Sequence, residues 1–86
     1  MKLIYYFGDK CKSCKDYDAV VNKVANELKI DSIYKSIDNS IITHSIDGIP
    51  TVIIEDDNGK VIYKNVGNLP YDSIIKDIKK AIKYDK

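Results

Sequence analysis

The sequence predicts an α/β fold in which a four-stranded mixed sheet is covered by three helices, in the order β-α-β-α-β-β-α. The first observation behind this prediction is an apolar run over residues 3–7, followed by helical spacing over residues 11–29. The second is a strong hairpin turn at residues 56–59, and the third is a helical pattern that starts near Pro70. Strand and helix signals that alternate in this way are typical of an α/β domain.

The first half of the chain carries two strands and two helices. Residues 3–7 read LIYYF, and such β-branched and aromatic residues predict a buried strand. Apolar residues at helical spacing predict an amphipathic helix over residues 11–29. Residues 33–37 predict a second strand, parallel to the first because a helix connects the two. A short helix is expected over residues 40–46.

The second half predicts a hairpin and a last helix. Strands are expected over residues 51–55 and 61–66, and the four residues DDNG between them favour a tight turn, since Asn-Gly tolerates positive φ. Pro70 suits the first turn of a helix. The apolar face of this helix comprises Tyr71, Ile74, Ile75, Ile78 and Ile82. We expect helices on both faces of the sheet.

Composition limits the classes of function. The 86 residues predict one domain over 1–86, and 44% hydrophobic with 31% charged residues indicates a folded chain. The net charge is +1 and the lysines alternate with aspartates, so we expect no nucleic-acid or membrane partner. The apolar run at the N-terminus is shorter than a signal-peptide core. We therefore expect a cytoplasmic monomer.

The two cysteines, Cys11 and Cys14, stand three residues apart at the expected start of the first helix. The helix dipole and the unpaired N–H groups at that end stabilise a thiolate, and Lys10, Lys12 and Lys15 add positive potential. Cys14, one turn further on, should be more buried. The arrangement favours redox chemistry, with Cys11 attacking a disulfide and Cys14 resolving the mixed disulfide.

A metal site is the structural alternative for a Cys-x-x-Cys pair. Zinc sites usually need four thiolate or imidazole ligands, and His44 is the one histidine in the chain. We therefore predict no metal and no cofactor, and keep a metal-binding or scaffolding module as a rival hypothesis.

Three local signatures resemble the thioredoxin family over essentially the whole chain: Cys11-Lys12-Ser13-Cys14, the Gly48-Ile49-Pro50-Thr51 segment, and Val66-Gly67 at the end of the fourth strand. The resemblance implies a thioredoxin-like fold and a cis Ile49–Pro50 bond. It also implies that the backbone of Ile49 pairs with an extended substrate segment. Gly67 would let that segment approach closely, although a plain turn at a strand end also explains this glycine.

The chain also departs from the family pattern. Lys10 replaces a tryptophan, and Lys12-Ser13 replaces Gly-Pro between the cysteines. Tyr5 occupies the position of a buried acid that helps proton transfer in the family. We expect Tyr5 to be a core residue, with Asp9 or Asp16 as a substitute for the acid.

The resemblance implies a protein disulfide reductase that acts on disulfide-containing proteins and is recharged by a flavoprotein of the thioredoxin-reductase type. A glutaredoxin that uses glutathione is the alternative within redox chemistry. Glutaredoxins typically present Thr-Val-Pro and Gly-Gly segments, whereas this chain has Gly48-Ile49-Pro50 and Gly67-Asn68.

Overall fold

A computed structural model describes residues 1–8, 12–37 and 48–84 of the chain. The bounds of the elements lie within two residues of the predicted ones. In chain order they are β1 (Lys2–Phe7), α1 (Lys12–Leu28), β2 (Asp31–Ser36), β3 (Thr51–Glu55), β4 (Val61–Val66) and α2 (Tyr71–Tyr84).

The four strands form one mixed sheet in the order β2-β1-β3-β4. β1 pairs in parallel with β2 and antiparallel with β3, and β3 pairs antiparallel with β4. The predicted four-stranded mixed sheet is therefore confirmed. Two helices occur in the described parts of the chain, and the short helix predicted over residues 40–46 lies outside them.

Both described helices pack on the same face of the sheet. Side chains alternate along a strand, so Leu3 and Tyr5 of β1 face the helices, whereas Ile4 and Tyr6 face the other side. The larger core cluster joins the helices to that first face: Leu3, Tyr5, Tyr17, Val21, Val24, Ala25, Val52, Ile54, Ile74, Ile75 and Ile78. The second face is also buried, around Ile4, Tyr6 and Ile53.

The predicted hairpin is present between β3 and β4. The Gly59 N–H donates to the Asp56 carbonyl at 3.0 Å, and Gly59 has a φ of +83°. The Asp56 carboxylate accepts hydrogen bonds of 2.9 Å from the backbone N–H groups of Asn58 and Lys60. These bonds explain why an aspartate occupies position 56, because its short side chain can accept hydrogen bonds from the N–H groups of the turn.

Candidate functional site

The strand pairing brings three separate segments to one end of the sheet. Tyr6 of β1 pairs with Thr51 of β3, and Thr51 pairs with Val66 of β4. The carboxyl end of β1, which leads towards α1, therefore lies beside the residues that precede β3 and follow β4. The Tyr5 hydroxyl of β1 reaches the Cys14 carbonyl, so the first turn of α1 lies over the part of the sheet where Tyr5 pairs with Val52.

Cys14 lies in the first turn of α1 and is buried, with 2% of its surface exposed. Lys12 and Lys15, on the same turn, are exposed. Cys11 and Lys10 lie outside the described residues, so the thiolate at Cys11 and its lysine neighbour stay predictions. α1 begins at Lys12, directly after Cys11 in the sequence.

The segment before β3 is anchored to the end of β4. The Ile49–Pro50 peptide bond is cis, which is the geometry that the family resemblance implies. Pro50 is buried and Ile49 is half-buried. The Gly67 N–H donates to the Pro50 carbonyl at 2.8 Å, so the two segments that the resemblance assigns to substrate binding are joined directly.

Gly67 has a φ of +99°, a backbone conformation that other L-residues rarely adopt. Among the described residues, no atom lies within 4 Å of the position that a Cβ would take there. The glycine therefore serves the backbone turn, and no described side chain covers its Cα. Gly48 is different, because a Cβ at that position would lie 3.1 Å from a methyl group of Val66.

Tyr5 is a fully buried core residue, as predicted, and it also contacts the candidate site. Its hydroxyl donates a hydrogen bond of 2.8 Å to the backbone carbonyl of Cys14. Its ring lies 5.7 Å from that of Phe7, 6.2 Å from that of Tyr17 and 5.4 Å from that of Tyr34, measured between centroids. These three contacts hold the phenol in place beneath the first turn of α1.

Burial raises the pKa of Tyr5 well above its ordinary value, and the nearby Asp18 carboxylate raises it further. The phenol is therefore neutral at any physiological pH and acts as a hydrogen-bond donor. Asp18 was missed in the sequence, although it follows Cys14 by four residues, which places both on one face of the helix. Asp16 is exposed, and Asp9 lies outside the described residues.

In the described parts of the chain, no group of three or more His, Cys, Asp and Glu side chains could hold a metal ion. Cys11 and His44 lie outside these parts.

Within the described ranges, neither helix has the length and apolar character that a membrane crossing requires.

Comparison with solved structures identifies the fold. Thioredoxin 1 from Thermosipho africanus matches with a TM-score of 0.77 and 24% identity, covering 96% of each chain. A mutant thioredoxin from Halobacterium salinarum matches with a TM-score of 0.81 and 20% identity, covering 93% of this chain and 73% of that one. Thioredoxin-2, described as a component of malaria parasite protein secretion machinery, matches with a TM-score of 0.79 and 19% identity, covering 92% of this chain and 81% of that one.

No protein-family model and no curated protein matches the sequence. The likeness is therefore one of backbone architecture, at sequence identities that show the fold alone. The element order, the mixed sheet and the solved structures agree, and the chain has the thioredoxin-like fold.

Proposed function

We propose that the chain is a thiol–disulfide oxidoreductase that reduces disulfides in other proteins through Cys11 and Cys14. The observation that carries this proposal is the position of Cys14. It is buried in the first turn of α1, and its carbonyl accepts a hydrogen bond from Tyr5, which pairs with Val52 two residues after Pro50. A dithiol at that place in a thioredoxin-like fold would meet a substrate along the Pro50 segment.

The reaction consists of two thiol–disulfide exchanges. The Cys11 thiolate attacks one sulfur of the substrate disulfide, forms a mixed disulfide and releases the other sulfur as a thiolate. The Cys14 thiolate then attacks the Cys11 sulfur, which forms the Cys11–Cys14 disulfide and releases the second substrate thiolate. The substrate gains two electrons, and the protein dithiol is oxidised by two electrons with loss of two protons.

Charge and helix geometry support the choice of Cys11 as the nucleophile. It precedes α1 directly, where the helix dipole lowers the pKa of a thiol. Lys12 and Lys15 are exposed on the first turn and Lys10 precedes it in the sequence, so their ammonium groups favour the thiolate. Cys14 is buried and is therefore suited to the second attack, which takes place within the protein.

The backbone around Ile49 and Pro50 would bind an extended substrate segment by strand addition. Gly67, whose Cα no side chain of residues 1–8, 12–37 and 48–84 covers, would let that segment pass close to the sheet end. We propose that the protein works as a monomer in the cytoplasm without a cofactor of its own. A flavoprotein of the thioredoxin-reductase type would recharge it, and nucleic acid and membrane would not be partners.

The function is tested by mass spectrometry and by turnover. Oxidation of the purified protein should remove two hydrogens from its mass, and a dithiol reductant should restore them. With that reductant in excess, the protein should accelerate the reduction of a disulfide-linked protein over the uncatalysed rate. Absence of the reversible mass change, or a tightly bound zinc ion or iron–sulfur cluster in the native protein, would favour the metal-binding module instead.

The source of electrons separates the two redox hypotheses. The oxidised protein should be reduced faster by a flavoprotein reductase with NADPH than by glutathione. The reverse order would identify a glutaredoxin-like activity.

Replacing Gly67 with alanine should reduce disulfide turnover by more than the accompanying loss of stability explains. The φ of +99° makes alanine strained, so we expect a loss of about 1–2 kcal/mol in the free energy of unfolding. The added methyl group also projects into the space that the substrate would occupy.

Gly59→Ala is the matched control for this change. Gly59 also has a positive φ, of +83°, and no atom of the described part of the chain within 4 Å of its Cβ position, but it lies in the hairpin away from the site. Urea unfolding should show similar losses for both variants, and a turnover assay should show a rise in KM for Gly67→Ala alone. Equal KM values for the Gly67→Ala and Gly59→Ala variants would show that Gly67 serves only the turn at the end of β4.

A further inference from the structure

The buried hydroxyl of Tyr5 forms a direct link between the sheet and the cysteine that the proposed function uses for resolution. Its hydrogen bond of 2.8 Å to the Cys14 carbonyl joins β1 to the first turn of α1 across nine positions in the sequence. Terminal helical turns are the parts of a helix that open most readily, because their backbone groups are only partly paired. A bond from the sheet to this turn restrains Cys14.

From this contact we infer that Tyr5 is a positioning residue for Cys14, and that its hydroxyl speeds the attack of Cys14 on the mixed disulfide. This inference rests on the proposed function. Tyr5 acts through the backbone carbonyl of Cys14. The exchange itself forms the Cys11–Cys14 bond and releases the substrate thiolate.

Two features make the restraint specific. First, the ring of Tyr5 is enclosed by Phe7, Tyr17 and Tyr34, so the hydroxyl is aimed by packing on several sides. Second, burial raises the pKa of Tyr5, so the phenol keeps its proton and stays a donor. A carboxylate at this position, as in the thioredoxin family, would accept protons and could not donate to the carbonyl when ionised.

Loss of the Tyr5 hydroxyl should slow the second exchange and leave the first nearly unchanged. A near-attack arrangement of the two sulfurs depends on the placement of the Cys14 backbone, and a single hydrogen bond contributes about 0.5–1.5 kcal/mol. Removing the hydroxyl should slow resolution roughly three- to ten-fold. The first attack, by Cys11 on the substrate, does not involve Cys14 and should change less than about twofold.

An aryl disulfide such as dithiobis(nitrobenzoate) separates the two steps. Each step releases one coloured thiolate, the first when Cys11 attacks and the second when Cys14 resolves the mixed disulfide. Under single-turnover conditions, Tyr5→Phe should release the first thiolate at the wild-type rate and the second more slowly. A wild-type rate for both releases in Tyr5→Phe would overturn the inference.

Tyr17→Phe is the matched control. The Tyr17 hydroxyl is buried and has no hydrogen-bond partner of good geometry among the residues that the structure describes. Asn65 and the Leu69 backbone approach it closely enough to oppose the rise that burial causes in its pKa. The same atom is thus removed from a neighbouring buried ring without loss of a well-formed bond. Both release rates should stay at wild-type values in this variant. A slowed second release in Tyr17→Phe, equal to that in Tyr5→Phe, would show a general packing effect and overturn the inference.

A second measurement covers the case in which Tyr5→Phe does not fold. Fluorotyrosine at position 5 keeps the ring and makes the hydroxyl a stronger donor, so the ¹³C resonance of the Cys14 carbonyl should move. Fluorotyrosine at position 17 should leave that resonance in place. An unchanged resonance with fluorotyrosine at position 5 would contradict the bond. If the wild-type protein releases fewer than two thiolates, the proposed function fails, and the role of Tyr5 fails with it.

Discussion

Replacing Cys11 with serine is expected to abolish the reduction of disulfides by this protein. A serine hydroxyl stays protonated near neutral pH, and only a thiolate attacks a disulfide sulfur at a useful rate. Removing the group that forms the covalent intermediate should lower turnover by about a thousandfold or more. The measurement is reduction of a disulfide-linked protein with a dithiol reductant in excess.

Cys14→Ser is the companion variant, because it removes the second attack and leaves the first. This variant should form a mixed disulfide with the substrate and accumulate it, which mass spectrometry detects as a stable adduct at Cys11. Full turnover by Cys11→Ser would refute the proposed mechanism. Adducts at Cys14 in Cys11→Ser, formed as fast as those at Cys11 in Cys14→Ser, would reverse the roles of the two cysteines.

Replacing Ile78 with alanine should cause a large loss of stability. Ile78 is fully buried in α2 and belongs to the core cluster between the helices and the sheet. Truncation of a buried isoleucine to alanine costs about 2–5 kcal/mol, because it removes apolar contacts and leaves a cavity. Domains of this kind are stable by only about 5–15 kcal/mol, so urea unfolding should show a much lower midpoint at an unchanged m-value.

Ile82→Ala provides the control on the same helix. Ile82 is half-buried and packs against the edge of the cluster, so its truncation should cost about 1 kcal/mol. The gain in helix propensity from isoleucine to alanine is the same at both positions and cancels in the comparison. Equal losses for the two variants would show that α2 does not pack on the sheet through Ile78.

Local patterns in the sequence predicted the elements well. The Asp56–Gly59 turn and its two strands were predicted with their observed bounds, because an Asn-Gly turn limits both the loop length and the strand ends. The helices were predicted from apolar spacing, which depends on neighbours within four residues. The helix over residues 40–46 stays a prediction, since it lies outside the described residues.

Some features of the candidate site could be predicted from local patterns, and others depend on the packing of separate elements. Cys11 and Cys14 could be recognised from their spacing and from the apolar pattern of α1, which begins between them. The bond between Tyr5 and Cys14 could not, because the two residues belong to different elements and only packing aims the hydroxyl. The approach of Asp18 to Tyr5 also depends on how α1 lies over β1.

The sequence alone determined the order of the described strands and helices, the hairpin and the place of Cys14 in the first turn of α1, since these follow from spacing within short windows. Only the tertiary structure decided that both described helices lie on one face of the sheet. It also joined Gly67 to Pro50 and placed the Tyr5 hydroxyl on Cys14. Such contacts depend on the register of the paired strands and on the position of a helix over the sheet. Packing of the whole core sets both the register and the helix position, so a local sequence pattern does not predict them.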